Sequence, residues 1–304
     1  MPSVYNRIMG RRGNFLLYSR DGKTVCRLDV KSGVSQEILE ASEIDPRTLS
    51  MVPDERSAFW LESQNTLVQG FLAGRKRTVY QAAQGWRFGN GMSISEDGLF
   101  AALVEIKDKQ SRVRLIATAK GMASTVAEST ESELRDPVIR PKRAGLVYGR
   151  GNELWLGNFD ATQNYKLRVA AGEVFSAHWS TDGRTVEYLV RAEGAKLPAL
   201  RECQPDANED KLVAPTSQFA SVSRNGDSSV FVGASSSKAS PHVLLLLRSV
   251  KREFTLAEHK ASNPSLVAPV FSPNSQRVFF QSDREGKWAI YMMQVEKLVE
   301  ETGN

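Results

Sequence analysis

The sequence predicts an all-β protein, a seven-bladed β-propeller with four-stranded antiparallel blades. A polar turn followed by a β-rich strand recurs seven times, with turn centres at positions 12, 54, 97, 142, 182, 225 and 274, spaced 40 to 49 residues apart. A repeat of about 40–45 residues holding four short strands has the size of one propeller blade. No stretch sustains a 3.6-residue apolar period, so few helices are expected.

The last copy is the clearest. Phe271-Ser272-Pro273-Asn274-Ser275 turns out of a short apolar strand, and Arg277 to Gln281 is rich in β-formers. Ser282 to Gly286 makes a polar hairpin, and Trp288 to Val295 is another strand. Upstream, Ser180-Thr181-Asp182-Gly183 precedes Thr185 to Val190, and Ser95-Glu96-Asp97-Gly98 precedes Leu99 to Val104. Ser223-Arg224-Asn225-Gly226, Arg140-Pro141-Lys142-Arg143, Val52-Pro53-Asp54-Glu55 and Arg11-Arg12-Gly13-Asn14 complete the set. Asp-Gly and Asn-Gly admit the positive φ that a tight hairpin requires. Further strands follow at Thr24 to Val30, Thr66 to Leu72, Arg112 to Ala117, Glu153 to Phe159 and Val243 to Leu247. The last of these is wholly apolar and suits a strand covered on both faces.

This grammar predicts one domain over 1–304, with blades near 1–40, 41–83, 84–130, 131–171, 172–215, 216–260 and 261–297 and a tail at 298–304. Val4 to Met9 is expected as the innermost strand of the first blade. The seventh blade then has three strands, unless the tail supplies a fourth. Glu296 to Glu301 is the best place for a short helix.

Composition is that of a soluble globular protein, 41% hydrophobic and 25% charged. The longest apolar run, Val243 to Leu247, is too short to span a bilayer. Met1 to Arg7 contains no apolar signal-peptide core, so the expected compartment is the cytoplasm, or the periplasm if the chain is a mature form. Cys26 and Cys203 have no metal-type spacing and suit a reducing compartment. The net charge of +5 mildly favours anionic partners. Basic residues group at Arg11-Arg12, Arg75 to Arg77, Lys107 to Arg114 and Arg140 to Arg143. No phosphate loop, serine elbow, cysteine cluster or RNA-binding signature is present, and neither nucleic acid nor membrane is an expected partner.

The unit at 272–286 resembles the repeats of TolB-type propellers. Over nearly the whole chain the sequence resembles the oligogalacturonate lyases, bacterial seven-bladed propellers that cleave short pectin fragments by β-elimination. Val79-Tyr80-Gln81, Trp86 and Val104 to Lys107 are similar to one family stretch. Asp136 to Pro141 is similar to a His-Pro-x-x-Arg-Pro segment, and His259 to Ser262 to a His-Ser-Thr-Ser segment. Ser282-Asp283, Gly286 and Ala289-Ile290-Tyr291 match the family's last blade.

The resemblance implies a divalent metal, manganese, held by histidines and a glutamine. This sequence departs from that set. Leu266-Val267-Ala268-Pro269 stands where the family has His-Pro-His-Pro, Asn263 where it has the glutamine, and Ser176 where it has a histidine. A further family histidine falls near Gln218 or Phe219. With histidines only at 178, 242 and 259, a multi-histidine site is hard to assemble. The catalytic candidates are His259 and His178. Lys107, Arg140, Asn263 and Gln218 are the ligand-binding candidates, and His242 reads as a loop residue.

No metal or other cofactor is expected unless lyase chemistry survives, in which case it is manganese. The expected function is a non-catalytic binding propeller whose partner is an acidic oligosaccharide or a protein. The alternative is an oligogalacturonate lyase with a rearranged site.

Overall fold

The computed structural model describes residues 8–216, 218–237 and 239–302. Local turn chemistry accounts for the sequence repeat. Ser95 Oγ donates to Asp97 at 2.6 Å and accepts from Phe100 N–H at 2.9 Å. Ser180 serves Asp182 and Thr185 N–H in the same way at 2.7 and 3.0 Å. Ser272 does so with Asn274 and Arg277 N–H at 2.8 and 2.9 Å. The fourth turn residue is left-handed, with φ of 72° at Gly98, 69° at Gly183 and 64° at Ser275, which is why glycine recurs there.

Each turn starts a strand of an antiparallel sheet, and there are seven sheets, so the fold is a seven-bladed β-propeller with almost no helix. The chain divides into two compact units, residues 2–167 and 168–304.

In residues 2–167, the first sheet holds β1 (Phe15–Ser19), β2 (Thr24–Asp29) and β3 (Ser35–Glu40). The second holds β4 (Ser50–Met51), β5 (Ser57–Glu62), β6 (Thr66–Phe71) and β7 (Arg75–Gln81). The third holds β8 (Arg87–Ile94), β9 (Phe100–Lys107), β10 (Gln110–Ala117) and β11 (Met122–Ser129). The fourth holds β12 (Leu134–Ile139), β13 (Gly145–Arg150), β14 (Glu153–Asn158) and β15 (Asn164–Lys166). Of the strand expected at Val4 to Met9, residues 4–7 lie outside the described residues. Met9 forms an antiparallel bridge to Leu16, and Ile8 C=O accepts from Leu17 N–H at 2.9 Å. Apolar side chains fill the space between consecutive sheets. Leu17, Met51 and Trp60 cluster between the first and second sheets, and Val104, Leu115 and Tyr148 between the third and fourth.

In residues 168–304, the fifth sheet holds β16 (Glu173–Trp179), β17 (Val186–Arg191), β18 (Ala199–Gln204) and β19 (Glu209–Pro215). The sixth holds β20 (Phe219–Arg224), β21 (Val230–Ser235), β22 (His242–Leu247) and β23 (Arg252–Glu258). The seventh holds β24 (Val270–Phe271), β25 (Arg277–Ser282) and β26 (Ala289–Gln294). As its composition suggested, β22 is covered on both faces, with Val243, Leu244, Leu245 and Leu246 all buried.

The expected helix at Glu296 to Glu301 is a single turn instead. Val295 C=O accepts from Leu298 and Val299 N–H at 2.8 and 2.9 Å, and Thr302 N–H then bonds Asn274 C=O at 3.4 Å. Burial of Val295 and Val299 draws the tail onto the 272–276 turn before a second helical turn can form. Among the described residues, the tail adds no strand to the seventh sheet.

A feature absent from the sequence reading recurs in the first strands. β8, β12, β16 and β20 are each interrupted by a bulge. Gly91, Asp136 and Ser176 hold the same place in the first three, four residues before the turn, with φ of 87°, 49° and 55°. Such kinks re-aim the side chains that follow.

Candidate functional site

In residues 2–167, Lys107 ends β9 and is exposed, its stem lying over the Gly85 turn. Arg140 is 6% exposed, so it is set into the protein rather than held out to solvent. The stretches matched around Lys107 converge on one buried carboxylate. Glu105, fully buried, accepts from Tyr80 Oη at 2.6 Å and Arg112 at 2.7 Å, with Arg114 at 3.7 Å. The Arg112 guanidinium lies 3.7 Å from the Trp86 ring centroid, a cation–π contact. Burial, and then the adjacent Glu105 carboxylate, push the Tyr80 phenol above its ordinary pKa. Tyr80, Trp86, Glu105 and Arg112 therefore form a structural knot around one buried carboxylate.

In residues 168–304, His259 is fully buried. Its Nε2 lies 3.1 Å from Ser235 C=O, and its Nδ1 accepts from Ala261 N–H at 3.1 Å. These partners set a neutral ring with the proton on Nε2, donating to the carbonyl. Burial holds the imidazole below its ordinary pKa. Gln218 reaches the same place: its side-chain oxygen accepts from Ser235 Oγ at 3.3 Å, and its backbone C=O accepts from Ser236 N–H at 2.7 Å. The structure thus unites Gln218 and His259 through Ser235.

Asn263 caps the short 3-10 turn Pro264–Leu266, its side-chain oxygen accepting from Ser265 N–H at 3.2 Å and Ser265 Oγ at 2.6 Å. A cleft of about 500 Å³ beside Lys260 is lined by Glu258, Lys260, Arg284 and Glu285, two acids and two bases.

His178 belongs to a different group. Its Nδ1 is 3.1 Å from Ser176 C=O, and its Nε2 is 3.1 Å from Glu187 Oε2, within ion-pair range but not aligned for a hydrogen bond. Glu187 is 1% exposed, and Arg224 stands 3.7 Å from the same oxygen. Burial raises the Glu187 carboxyl, but His178, Arg224 and Ser228 outweigh it and hold the group below the usual carboxylate range. Ser176, expected in place of a ligand, accepts Val222 N–H at 3.1 Å and ties the fifth sheet to the sixth. The group joining His178, Glu187 and Arg224 escaped the sequence reading; its one signal is a glutamate inside the apolar run Val186 to Val190.

Both cysteines are buried free thiols, and burial pushes Cys203 up to about 12, so it is not a thiolate ligand or nucleophile.

No family model matches the chain, and no curated protein matches it. Solved structures do. An oligogalacturonate lyase in complex with manganese superposes with a TM-score of 0.88, at 19% identity over 96% of this chain and 89% of that one. The fold is that of the oligogalacturonate lyases. The oligogalacturonate lyase of Vibrio parahaemolyticus gives the same TM-score of 0.88, at 20% identity over 97% of this chain and 90% of that one. TolB from Acinetobacter baumannii is less similar, with a TM-score of 0.60 and 12% identity over 85% of this chain and 66% of that one.

The manganese of that first lyase structure can be tested against the side chains present here. Both ring nitrogens of His259 have backbone partners, the Asn263 oxygen is used as a cap, and Leu266 to Pro269 offer no side-chain donor. Among the described residues, no three His, Cys, Asp or Glu side chains converge. This donor set does not fit a divalent ion. Among the described residues, no helix is long and apolar enough to cross a membrane.

Proposed function

We propose that this chain is a non-catalytic binding propeller on an oligogalacturonate lyase-like scaffold, working without a metal or other cofactor and taking an acidic saccharide as ligand. The observation that supports this most is the His259 ring, held by backbone groups at both nitrogens. β-Elimination from a uronate requires a base for the C5 proton and a cation against the developing carboxylate charge. A buried imidazole already donating and accepting supplies neither. The excess of cations, +5, and the exposed Lys107 suit a carboxylated sugar.

The second reading is an oligogalacturonate lyase with a rearranged site drawing on Asn263, His178 and His259. The TM-score of 0.88 favours it, but a shared fold is an argument by analogy.

One pair of measurements separates the two. The protein is incubated with unsaturated digalacturonate, with and without manganese, while keto-uronate formation is followed and binding is titrated by calorimetry. No turnover is expected in either condition, with saturable binding weakened roughly two- to fivefold by Lys107→Ala, the worth of one exposed ion pair. Manganese-stimulated turnover would establish the lyase reading, and absence of binding would remove the saccharide.

A further inference from the structure

Lys107 has a neighbour with unused chemistry. Arg87 pairs with Ile106 in the β8–β9 ladder. Trp86 and Lys107, the next residue on each chain, therefore stand side by side where the ladder ends. A side-chain carbon placed on Gly85 would lie 3.4 Å from Lys107 Cε and 3.8 Å from its Nζ, so the ammonium lies against the backbone one residue before Trp86. Gly85, with φ of 82°, turns the chain here, and Trp86 N–H closes the turn on Ala83 C=O at 2.9 Å.

Both side chains carry donors that the fold leaves unused. Among the described residues, the Lys107 ammonium has no hydrogen bond or ion pair. The Trp86 indole N–H has no partner among them either, and it is not enclosed. The cations nearby on β10 are committed: Arg112 and Arg114 to Glu105, and Arg114 also to Ala123 C=O at 3.2 Å. The other tryptophans of residues 2–167 differ from Trp86. Trp60 is fully buried and donates to Glu62 at 2.8 Å, and Trp155 donates to Glu153 at 3.0 Å. An indole has one donor, and theirs are spent on carboxylates.

The Trp86 ring is also held in place. The Arg112 guanidinium lies 3.7 Å from its centroid, and Glu105 holds Arg112 at 2.7 Å. A ligand therefore meets a ring that is already ordered, which spares the cost of fixing it on binding.

We infer that Trp86 and Lys107 form one subsite for a single uronate. The sugar carboxylate binds the Lys107 ammonium, and the Trp86 indole N–H donates to a second oxygen of the same sugar. The ammonium supplies a charge-assisted bond, and the indole, fixed in direction, supplies orientation. Arg112 is a positioning residue that acts through the ring. This inference rests on the saccharide reading and names the residues that hold the sugar.

The probe is unsaturated digalacturonate without metal, and the readout is the Trp86 indole N–H resonance in nitrogen-15 NMR. The resonance is identified in the parent protein by its proximity to the Arg112 side chain, so the test does not depend on a variant that folds. Saturating saccharide is expected to move it and to slow its exchange with water roughly tenfold. Neutral α-1,4-galactobiose, with no carboxylate for Lys107, leaves it unmoved at the same concentration. Trp86→Phe keeps a ring on Arg112 and removes the donor, and it weakens binding roughly two- to tenfold, the worth of one hydrogen bond. The loss in Lys107→Ala shrinks as salt is raised, and the loss in Trp86→Phe does not. Saccharide binding that leaves the Trp86 resonance unmoved, or an unchanged affinity in Trp86→Phe, would overturn the subsite and leave the saccharide reading standing. An equal shift with galactobiose would overturn the pairing of Trp86 with Lys107. Absence of any binding would remove the subsite and the saccharide together.

Discussion

Glu105→Ala is expected to cost about 3–5 kcal/mol of folding stability, the loss typical of removing one partner from a buried ion group. Glu105 is fully buried, and three groups depend on it: the Tyr80 hydroxyl at 2.6 Å, Arg112 at 2.7 Å and Arg114 at 3.7 Å. Without the carboxylate, two guanidiniums that cannot deprotonate lie side by side, two residues apart on β10. Arg112 keeps its stacking on Trp86, which limits the loss but does not neutralise the charge. Denaturant unfolding of both proteins reads the difference as a lower midpoint at unchanged slope. A change below about 1 kcal/mol, the range of an exposed pair, would mean that the knot is not buried as described.

Glu187→Ala is expected to have a comparable effect, about 3–5 kcal/mol, for the same reason. Its carboxylate is the anion between His178 at 3.1 Å and Arg224 at 3.7 Å. This group adds a pH signature. The Glu187 carboxyl is held below its ordinary range in the folded protein. Its contribution is therefore complete above that range and is lost as pH falls through the depressed folded value. The His259 ring is also held low, and protonating it in the folded state is disfavoured in the same direction. Acid stability should thus fall off less steeply in Glu187→Gln than in the parent protein. A parallel acid limb in the two proteins would show that Glu187 is not the titrating group.

Much of the fold is written in local chemistry. Ser-x-Asp-Gly turns and the β-rich strands after them are short-range signals, and each recurs because each sheet needs the same hairpin. The strands expected at Thr66 to Leu72 and Val243 to Leu247 are found at Thr66–Phe71 and His242–Leu247. The bulges of the first strands were not legible. At Asp136 and Ser176 the left-handed backbone falls on residues that carry no glycine signal, so only tertiary packing imposes it.

The candidate site was less legible for a related reason. Glu105 and Glu187 each lie in a strand covered on both faces. Their partners come from other strands, Arg112 from β10 and Arg224 from β20. His259 could be named as an important residue, yet its burial and its bonds to Ser235 and Ala261 are decided by how three segments meet. The link from Gln218 to His259 through Ser235 depends on the same packing.

The direct measurement is nitrogen-15 NMR of the imidazole rings during a manganese titration. His259 should appear as the neutral Nε2–H tautomer, titrate only below its ordinary value, and keep sharp signals as manganese is added. A His259 ring that titrates like a free imidazole, and whose nitrogen signals broaden at stoichiometric manganese, would contradict a structural histidine and return the chain to metal-assisted chemistry.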